Sequence, residues 1–407
     1  MTNRPYRSPR ASRRLLAATA ALLALTGLTG CAGAETEAAV KPDGRRFTLA
    51  AAGDILIHPE LTEQARKDAA ATGGGAQGLD FDRIMAGVKP VISKADLAVC
   101  HFETVAGEPR GPFRGFPDFV VPPQIATTLK KTGYDTCSTA SNHTLDHGAS
   151  GVQRTLDVLD AAGLKHTGSA RSAREAATPL ITDVKGLKVA QLSYTFGFNG
   201  TGVPADKPWL ANTTDLGKIK AAEHAARKAG ADAVVLSIHW GSEHHPEPSA
   251  DQLGLGRRIA RETGIDLVIG HHAHVVQPME KVDGTWIAYG LGNQLARHEK
   301  PSGLTEEGVI GWFEFAERQD GGWDVSPKYV PTLVDLPPDP DESGRLPAGA
   351  VTAHRLVDVA AALRDPDGLS EDRAARYRLA FERTRGTLLN RGAAADGLRP
   401  LEPLPAG

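Results

Sequence analysis

No charge of either sign dominates this sequence of 407 residues: 46 lysines and arginines stand against 49 aspartates and glutamates, for a net charge of −3. A nucleic-acid binder would be basic overall or carry a basic stripe, so no nucleic-acid partner is expected. Cysteine is scarce, with Cys31, Cys100 and Cys137 the three in the chain, which excludes a scaffold held by many disulfides. No internal repeat is present, which excludes a solenoid. What is there is 41% hydrophobic and 23% charged residues, the balance of a soluble globular protein with a sizeable core.

The first 31 residues are of a different kind. Five arginines and no acid fall within 1–14, and "LLAATAALLALTGL" (15–28) is apolar and uncharged. A charged region, a short apolar region and small residues at the cut describe a secretory signal. The apolar run is shorter than the roughly 20 residues that cross a bilayer as a helix. "LTGC" resembles a bacterial lipobox, which implies cleavage before Cys31, lipidation of Cys31 and an extracytoplasmic protein anchored to the cell membrane. Residues 32–45 are small and polar and read as a flexible tether. Cys100 and Cys137 then remain; they can pair or serve as small buried hydrophobes.

From Phe47 a rhythm sets in. "RFTLAAAGDIL", "ADLAVCHFE", "YDTCSTAS", "KVAQLSY", "ADAVVLSIHW", "IDLVIGHHAH" and "WIAYGLGN" are short apolar runs, several nearly continuous, as strands buried on both faces are. Between them lie amphipathic stretches, such as the one placing Val152, Leu156 and Leu159 on one helical face. Gly133, Gly163, Gly230 and Gly264 are expected to end helices in the left-handed conformation. Ser249 and Gln252 form an S-x-x-Q capping box. Alternating strands and helices point to an α/β fold of mixed sheets covered by helices. A strand pair around a Gly-Gly turn follows residue 309, a linker and C-terminal helices occupy 337–390, and 391–407 is expected to be a disordered tail.

The unusual polar residues fall where strands end: Asp54 and His58, Glu103, Asn142 with His143 and Asp146, His239, His272 and His274, and Asn293. Six of the 14 histidines crowd into "SIHWGSEHHPEPSADQ" and "IGHHAHVVQP". Ligands of open α/β sheets bind beyond the carboxyl ends of strands, so these residues form a converging set. Histidine nitrogens with carboxylate and amide oxygens suit zinc, manganese or iron. Seven donors exceed one tetrahedral site and suit two divalent ions about 3.5–4 Å apart that activate a water. His244 and His245 read as exposed loop residues. His271 and His272 point to opposite sides if their strand continues, so one of them stands behind the other.

"AAGDILIHPE", "HFETVAG", "FRGFPDFVVPPQ", "YDTCSTASNHTLDHG", "HWGSEHHPEPSADQ", "VIGHHAHVVQPME" and "YGLGN" resemble, in order, the CapA family of capsule and poly-γ-glutamate synthesis proteins, a branch of the calcineurin-like metallophosphoesterases. The resemblance implies a four-layer α/β/β/α sandwich over 46–336. It implies Asp54, His58 and His274 at a first metal ion, Glu103 as the bridging carboxylate, and Asn142, His239 and His272 at a second. His143 would protonate a leaving group, with Asp146 orienting it. Arg110, Arg114 and Asn293 are expected to bind substrate. The chain departs from the family in carrying His101-Phe102 before Glu103, Ser141 before Asn142, and Gln294 after Asn293; His101 adds an imidazole near the site. Three functions compete: a hydrolase acting on an anionic envelope polymer, a phosphoesterase acting on a small phosphorylated substrate, and a non-catalytic polymer-binding partner in a polymer-synthesis complex.

Overall fold

A computed structural model describes residues 44–338, 345–346 and 350–403; the leader, Cys31 and residues 32–43 of the tether lie outside the described residues. Strands β1 (Arg46–Ile55), β2 (Leu97–Phe102), β3 (Thr136–Ser138) and β4 (Lys165–Thr167) open the chain. They are followed by β5 (Leu180–Val184), β6 (Leu187–Thr195), β7 (Ala233–His239), β8 (Leu267–His271), β9 (Met279–Val282) and β10 (Thr285–Ala288). The last are β11 (Asn293–Leu295), β12 (Glu307–Glu317), β13 (Trp323–Asp335), β14 (Arg355–Asp358) and β15 (Arg399–Pro400). One sheet has the order β14-β13-β12-β1-β2-β3-β4, with β11 added to β1 and β15 to β13. The other has the order β5-β6-β7-β8-β10-β9. Both mix parallel and antiparallel neighbours.

The period of two along each strand sets the layers. In β1, Phe47, Leu49 and Ala51 enter one core while Ala50 and Ala52 enter another. In β2, Leu97 and Val99 join the first set, and Ala98, Cys100 and Phe102 the second. On the other sheet, Val235, Leu267, Ile269 and Trp286 share the core of Leu49 and Val99, whereas Val234, Leu236, Val268 and Ile287 turn away from it. That shared core is therefore the seam between the sheets. Leu61, Ile125, Leu129, Val152 and Leu156 pack helices Pro59–Thr72, Gln124–Thr132 and Gly148–Ala161 on the first sheet. Ile219 and Ile259 pack helices Leu216–Lys228 and Ala250–Glu262 on the second. The result is the expected four-layer α/β/β/α sandwich of mixed sheets, and burial on both faces explains why its strands read as unbroken apolar runs.

Gly133, Gly163 and Gly230 have positive φ at their helix ends. Gly264 does not; the helix before it ends on extended Thr263. The Ser249–Gln252 capping box is formed in both directions.

Cys100 and Cys137 are register partners on β2 and β3 and are joined by a disulfide with Cα atoms 4.4 Å apart. Both residues are fully buried. The bond closes a loop of 37 residues, so its loss should cost about 4 kcal/mol in chain entropy. Urea unfolding with and without dithiothreitol checks this. Reduction should require unfolding, because both sulfurs are shielded from the thiol.

The C-terminal reading needs correction. Residues 355–358 form β14, paired antiparallel to β13, so the segment read as linker and helices belongs to the first sheet. The helix expected there spans Val359–Arg364, and a long helix follows at Glu371–Leu389. Residues 391–403 are not a disordered tail: Ala393 and Leu398 are buried in the seam and β15 pairs with β13. Burying those two apolar side chains offsets the chain entropy that composition alone suggested would win.

Candidate metal centre

The sheet registers bring the polar strand ends together. Across the first sheet, Asp54, His101 and Ser138 stand side by side at the carboxyl ends of β1, β2 and β3, and Asn293, the first residue of β11, lies beside Asp54. Across the second, Thr195, His239 and His271 do the same on β6, β7 and β8. The two rows meet through Asp54, whose Oδ1 lies 2.9 Å from His271 Nδ1 and whose Oδ2 accepts the His272 backbone N–H at 3.0 Å. Oδ2 is also 3.3 Å from His274 Nδ1. The strand ends at His271 and the chain turns at once, with φ of 90° at His272 and 54° at His274. That left-handed backbone is costly for non-glycine residues and tends to persist at functional sites. It answers the question of His271 and His272: both face Asp54, one by its ring and the other by its amide.

Glu103 follows β2 and is fully buried, and neither carboxylate oxygen has a hydrogen-bond partner among the described residues. Burial holds its carboxyl well above the usual range. Oε1 is 3.9 Å from His239 Nε2 and 3.8 Å from His274 Nε2. These separations are too long for hydrogen bonds but suit donors that each lie roughly 2 Å from a shared ion. For Asp54, burial works to raise the carboxyl, but the bonds from His271 and His274 outweigh it and hold the group well below its ordinary value. For His274, burial works to lower the imidazole, but Glu103 and Asp54 lift it to about 10. Burial, with cationic neighbours, depresses His101 and His239 and brings His58 and His272 to about 4. Most of these rings are therefore neutral near pH 7, the form in which imidazole ligates a metal.

Asn142 Oδ1 lies 2.9 Å from His239 Nε2. His143 Nδ1 and Asp146 Oδ2 are 2.8 Å apart, and the same Asp146 oxygen accepts the Phe119 backbone N–H at 3.0 Å. Asp146 thus holds the ring of His143 in place, and Phe119 packs edge-on against both His143 and His58.

Among the described residues, two groups of donors have ligating atoms mutually within 4.8 Å: Asp54, His101, Glu103 and His239, and then Glu243, His272 and His274. They contain no thiolate, since Cys100 and Cys137 are bonded to each other, and such a set suits zinc, manganese or iron. An ionisable carboxylate buried with no hydrogen-bond partner among the described residues is the observation that asks most directly for a cation.

Among the expected ligands, Asp54, Glu103, His239, His272 and His274 fall in these groups and Asn142 touches His239. His58 falls in neither: its Nδ1 lies 3.2 Å from both Leu56 O and Arg297 N. Asn293 is not placed to bind substrate. It is fully buried, its Oδ1 lies 2.9 Å from His274 Nδ1, and its Nδ2 donates to Thr305 O at 2.9 Å. Arg110 and Arg114 are exposed and belong to a loop at the edge of the site, where Gly115 sits against Pro59 and Phe119 against His58. The structure does not bring either guanidinium into the donor groups. His244 and His245 are exposed as expected. Sequence reasoning passed over Glu243, although it stands beside His244 in the crowded stretch. It also passed over Asn199, Phe196 and His298, which lie on loops with no motif to mark them. The Phe196 ring lies tilted over His272 with centroids 4.7 Å apart, and the His298 ring centroid is 5.1 Å from that of His274.

The family described as "Bacterial capsule synthesis protein PGA_cap" matches residues 48–298. Among curated proteins, the chain is 25% identical over 258 residues to the capsule biosynthesis protein CapA of Bacillus anthracis, covering 62% of this chain and 60% of that one. It is 28% identical over 210 residues to the PGA biosynthesis protein CapA of Bacillus subtilis, covering 51% and 54%. The chain thus spans a little over half the length of these relatives. Among solved structures it is similar to the calcineurin-like phosphoesterase YfkN from Bacillus subtilis, 15% identical, covering 84% of this chain and 99% of that one at a TM-score of 0.40.

Proposed function

This chain belongs to the bacterial capsule synthesis family, and from that premise we propose that it is a metal-dependent hydrolase acting on poly-γ-glutamate or a similar anionic envelope polymer. The observation that carries the reading is Glu103: a buried carboxylate whose oxygens have no hydrogen-bond partner among the described residues, facing His239 and His274, with Asn142 against His239 and His143 next in the chain. Asp54, Glu103, Asn142, His239, His272 and His274 would hold two divalent ions, of zinc, manganese or iron. When bound, such ions polarise an electrophile and activate a water.

The protein's own groups do the rest. Water oxygen bonds to the amide carbon and releases one proton to solvent, the C–N bond breaks with its electron pair going to nitrogen, and that nitrogen takes a proton from His143, which solvent then restores. Asp146 fixes the ring that delivers it. Arg110 and Arg114, exposed on the loop beside His58, are suited to hold the carboxylates of neighbouring polymer units. The chain would work outside the cytoplasm, anchored by lipid at Cys31 and serving a polymer-synthesis complex. A buried disulfide supports an oxidising compartment.

The test is to offer the purified protein poly-γ-glutamate and an aryl phosphate diester, with His143→Ala as control. Shortening of the polymer that needs added metal, falling by roughly 100-fold or more in the variant, is the expected result. Phosphate-ester cleavage alone would replace it with a phosphoesterase, and polymer binding without turnover, unchanged in the variant, with an accessory role.

A further inference from the structure

Ring nitrogens near a metal site are candidate ligands by proximity, and His101 stands in the first donor group. Its two nitrogens, however, are both engaged. Nδ1 lies 2.8 Å from Ser138 Oγ and Nε2 lies 3.0 Å from His239 Nδ1. The ring is 1% exposed and stacks on His271 with centroids 3.9 Å apart, which fixes its plane. We propose that His101 is not a ligand but a positioning residue, which holds His239 in the tautomer that leaves Nε2 free to bind a cation. This rests on the metal-centre reading above.

One set of proton positions suits a bound cation. Ser138 Oγ donates to Cys100 O at 3.3 Å. A hydroxyl has one proton, so its oxygen then accepts from His101 Nδ1–H. His101 Nε2 is left with a lone pair and accepts from His239 Nδ1–H. His239 Nε2 is then bare, 2.9 Å from Asn142 Oδ1. The amide of Asn142 cannot turn to offer a proton instead without losing a bond, because its Nδ2 donates to Asn199 Oδ1 at 3.2 Å. A nitrogen lone pair and an oxygen lone pair at this distance repel unless a cation lies against both.

Without a cation, the same atoms satisfy the reverse polarity. The Ser138 hydroxyl turns to His101 Nδ1, His101 donates through Nε2, and His239 donates through Nε2 to Asn142. Each imidazole keeps one proton in both states and changes only which nitrogen carries it. The serine end is the anchor: its bond to the β2 backbone favours the metal-binding polarity. This relay is where the chain departs from the family pattern at residue 101, and it explains how a histidine there supports the centre without joining it.

The test compares full-length wild type with His101→Phe, which keeps a ring to stack on His271, and His101→Gln, whose Oε1 can still accept from His239. Zinc affinity is read by competition with a chromogenic chelator, and the fold of each metal-free form by urea unfolding. The phenylalanine variant should bind zinc about 10–100-fold more weakly, as loss of a ligand-orienting partner does, and the glutamine variant within a few-fold of wild type. X-ray absorption should count the same number of imidazoles on zinc in wild type and His101→Gln. Should the phenylalanine variant not fold, nitrogen-15 spectra of zinc-loaded wild type decide, with the His239 proton expected on Nδ1. Wild-type affinity in a folded phenylalanine variant, one fewer imidazole in the glutamine variant, or the proton on Nε2 would each overturn the assignment. Failure of wild type to take up zinc would overturn the metal reading and this one together.

Discussion

Glu103→Gln is expected to give a folded protein that has lost its hold on divalent ions. Zinc affinity should fall by roughly 100- to 1,000-fold, taking about 10–16 kcal/mol for a four-ligand site and sharing it among the ligands. The amide matches the carboxylate in shape but offers no negative charge between His239 and His274. Stability should move the other way once metal is removed. Burial raises the Glu103 carboxyl well above its unfolded value of 4.5. A carboxyl raised by folding favours the folded state fully below its unfolded value, and that favour is lost as pH rises through the raised one. The metal-free glutamine variant should therefore gain on metal-free wild type as pH rises above about 4.5. Urea unfolding across pH 4–8 with a chelator, repeated with zinc, checks both halves. Equal zinc binding by the two proteins would remove Glu103 from the centre. An advantage that shrinks with rising pH would contradict its burial as a strained acid.

Gly53→Ala should do comparable damage through the backbone. A Cβ at Gly53 would lie 2.0 Å from Gly292 O and 2.7 Å from its carbonyl carbon, both backbone atoms. There is no flexible side chain to swing aside, so β1 and β11 must separate, at about 3 kcal/mol or more. The same movement displaces Asp54 and Asn293, the residues that follow the two glycines, and with them the oxygens placed around His271 and His274. Zinc affinity should fall along with stability in urea. Gly254→Ala is the control: it lies inside the helix Ala250–Glu262 with open space around it, and should gain up to about 1 kcal/mol. A Gly53→Ala protein as stable as wild type would mean the strand contact is looser than the structure has it.

The strand ends explain why so much of the site was legible. A residue that closes an apolar run is placed by that run, so Asp54, Glu103, His239 and His274 were located as soon as β1, β2, β7 and β8 were recognised. Asn142, His143 and Asp146 were located by the motif they share, and the structure sets Asp146 on His143. Loops have no such period. Asn199 and His298 reach the centre from segments whose sequence carries no signal of where they fold. Asn293 was read as touching substrate because it follows a strand, yet the turn at His274 closes over it. The tail was misjudged for a related reason: composition reports polarity but not that Ala393 and Leu398 have a seam to enter.

Taken alone, the sequence determined the alternation of buried strands with helices and the kind of donor at each strand end, because apolar runs, helical periodicity and the chemistry of a side chain are local properties. Which donors stand close enough to share an ion, that Cys100 meets Cys137, and that His101 lies against His239 were decided by tertiary structure. Those depend on how two sheets are registered against each other across the seam, and register is set by packing between segments far apart in the chain.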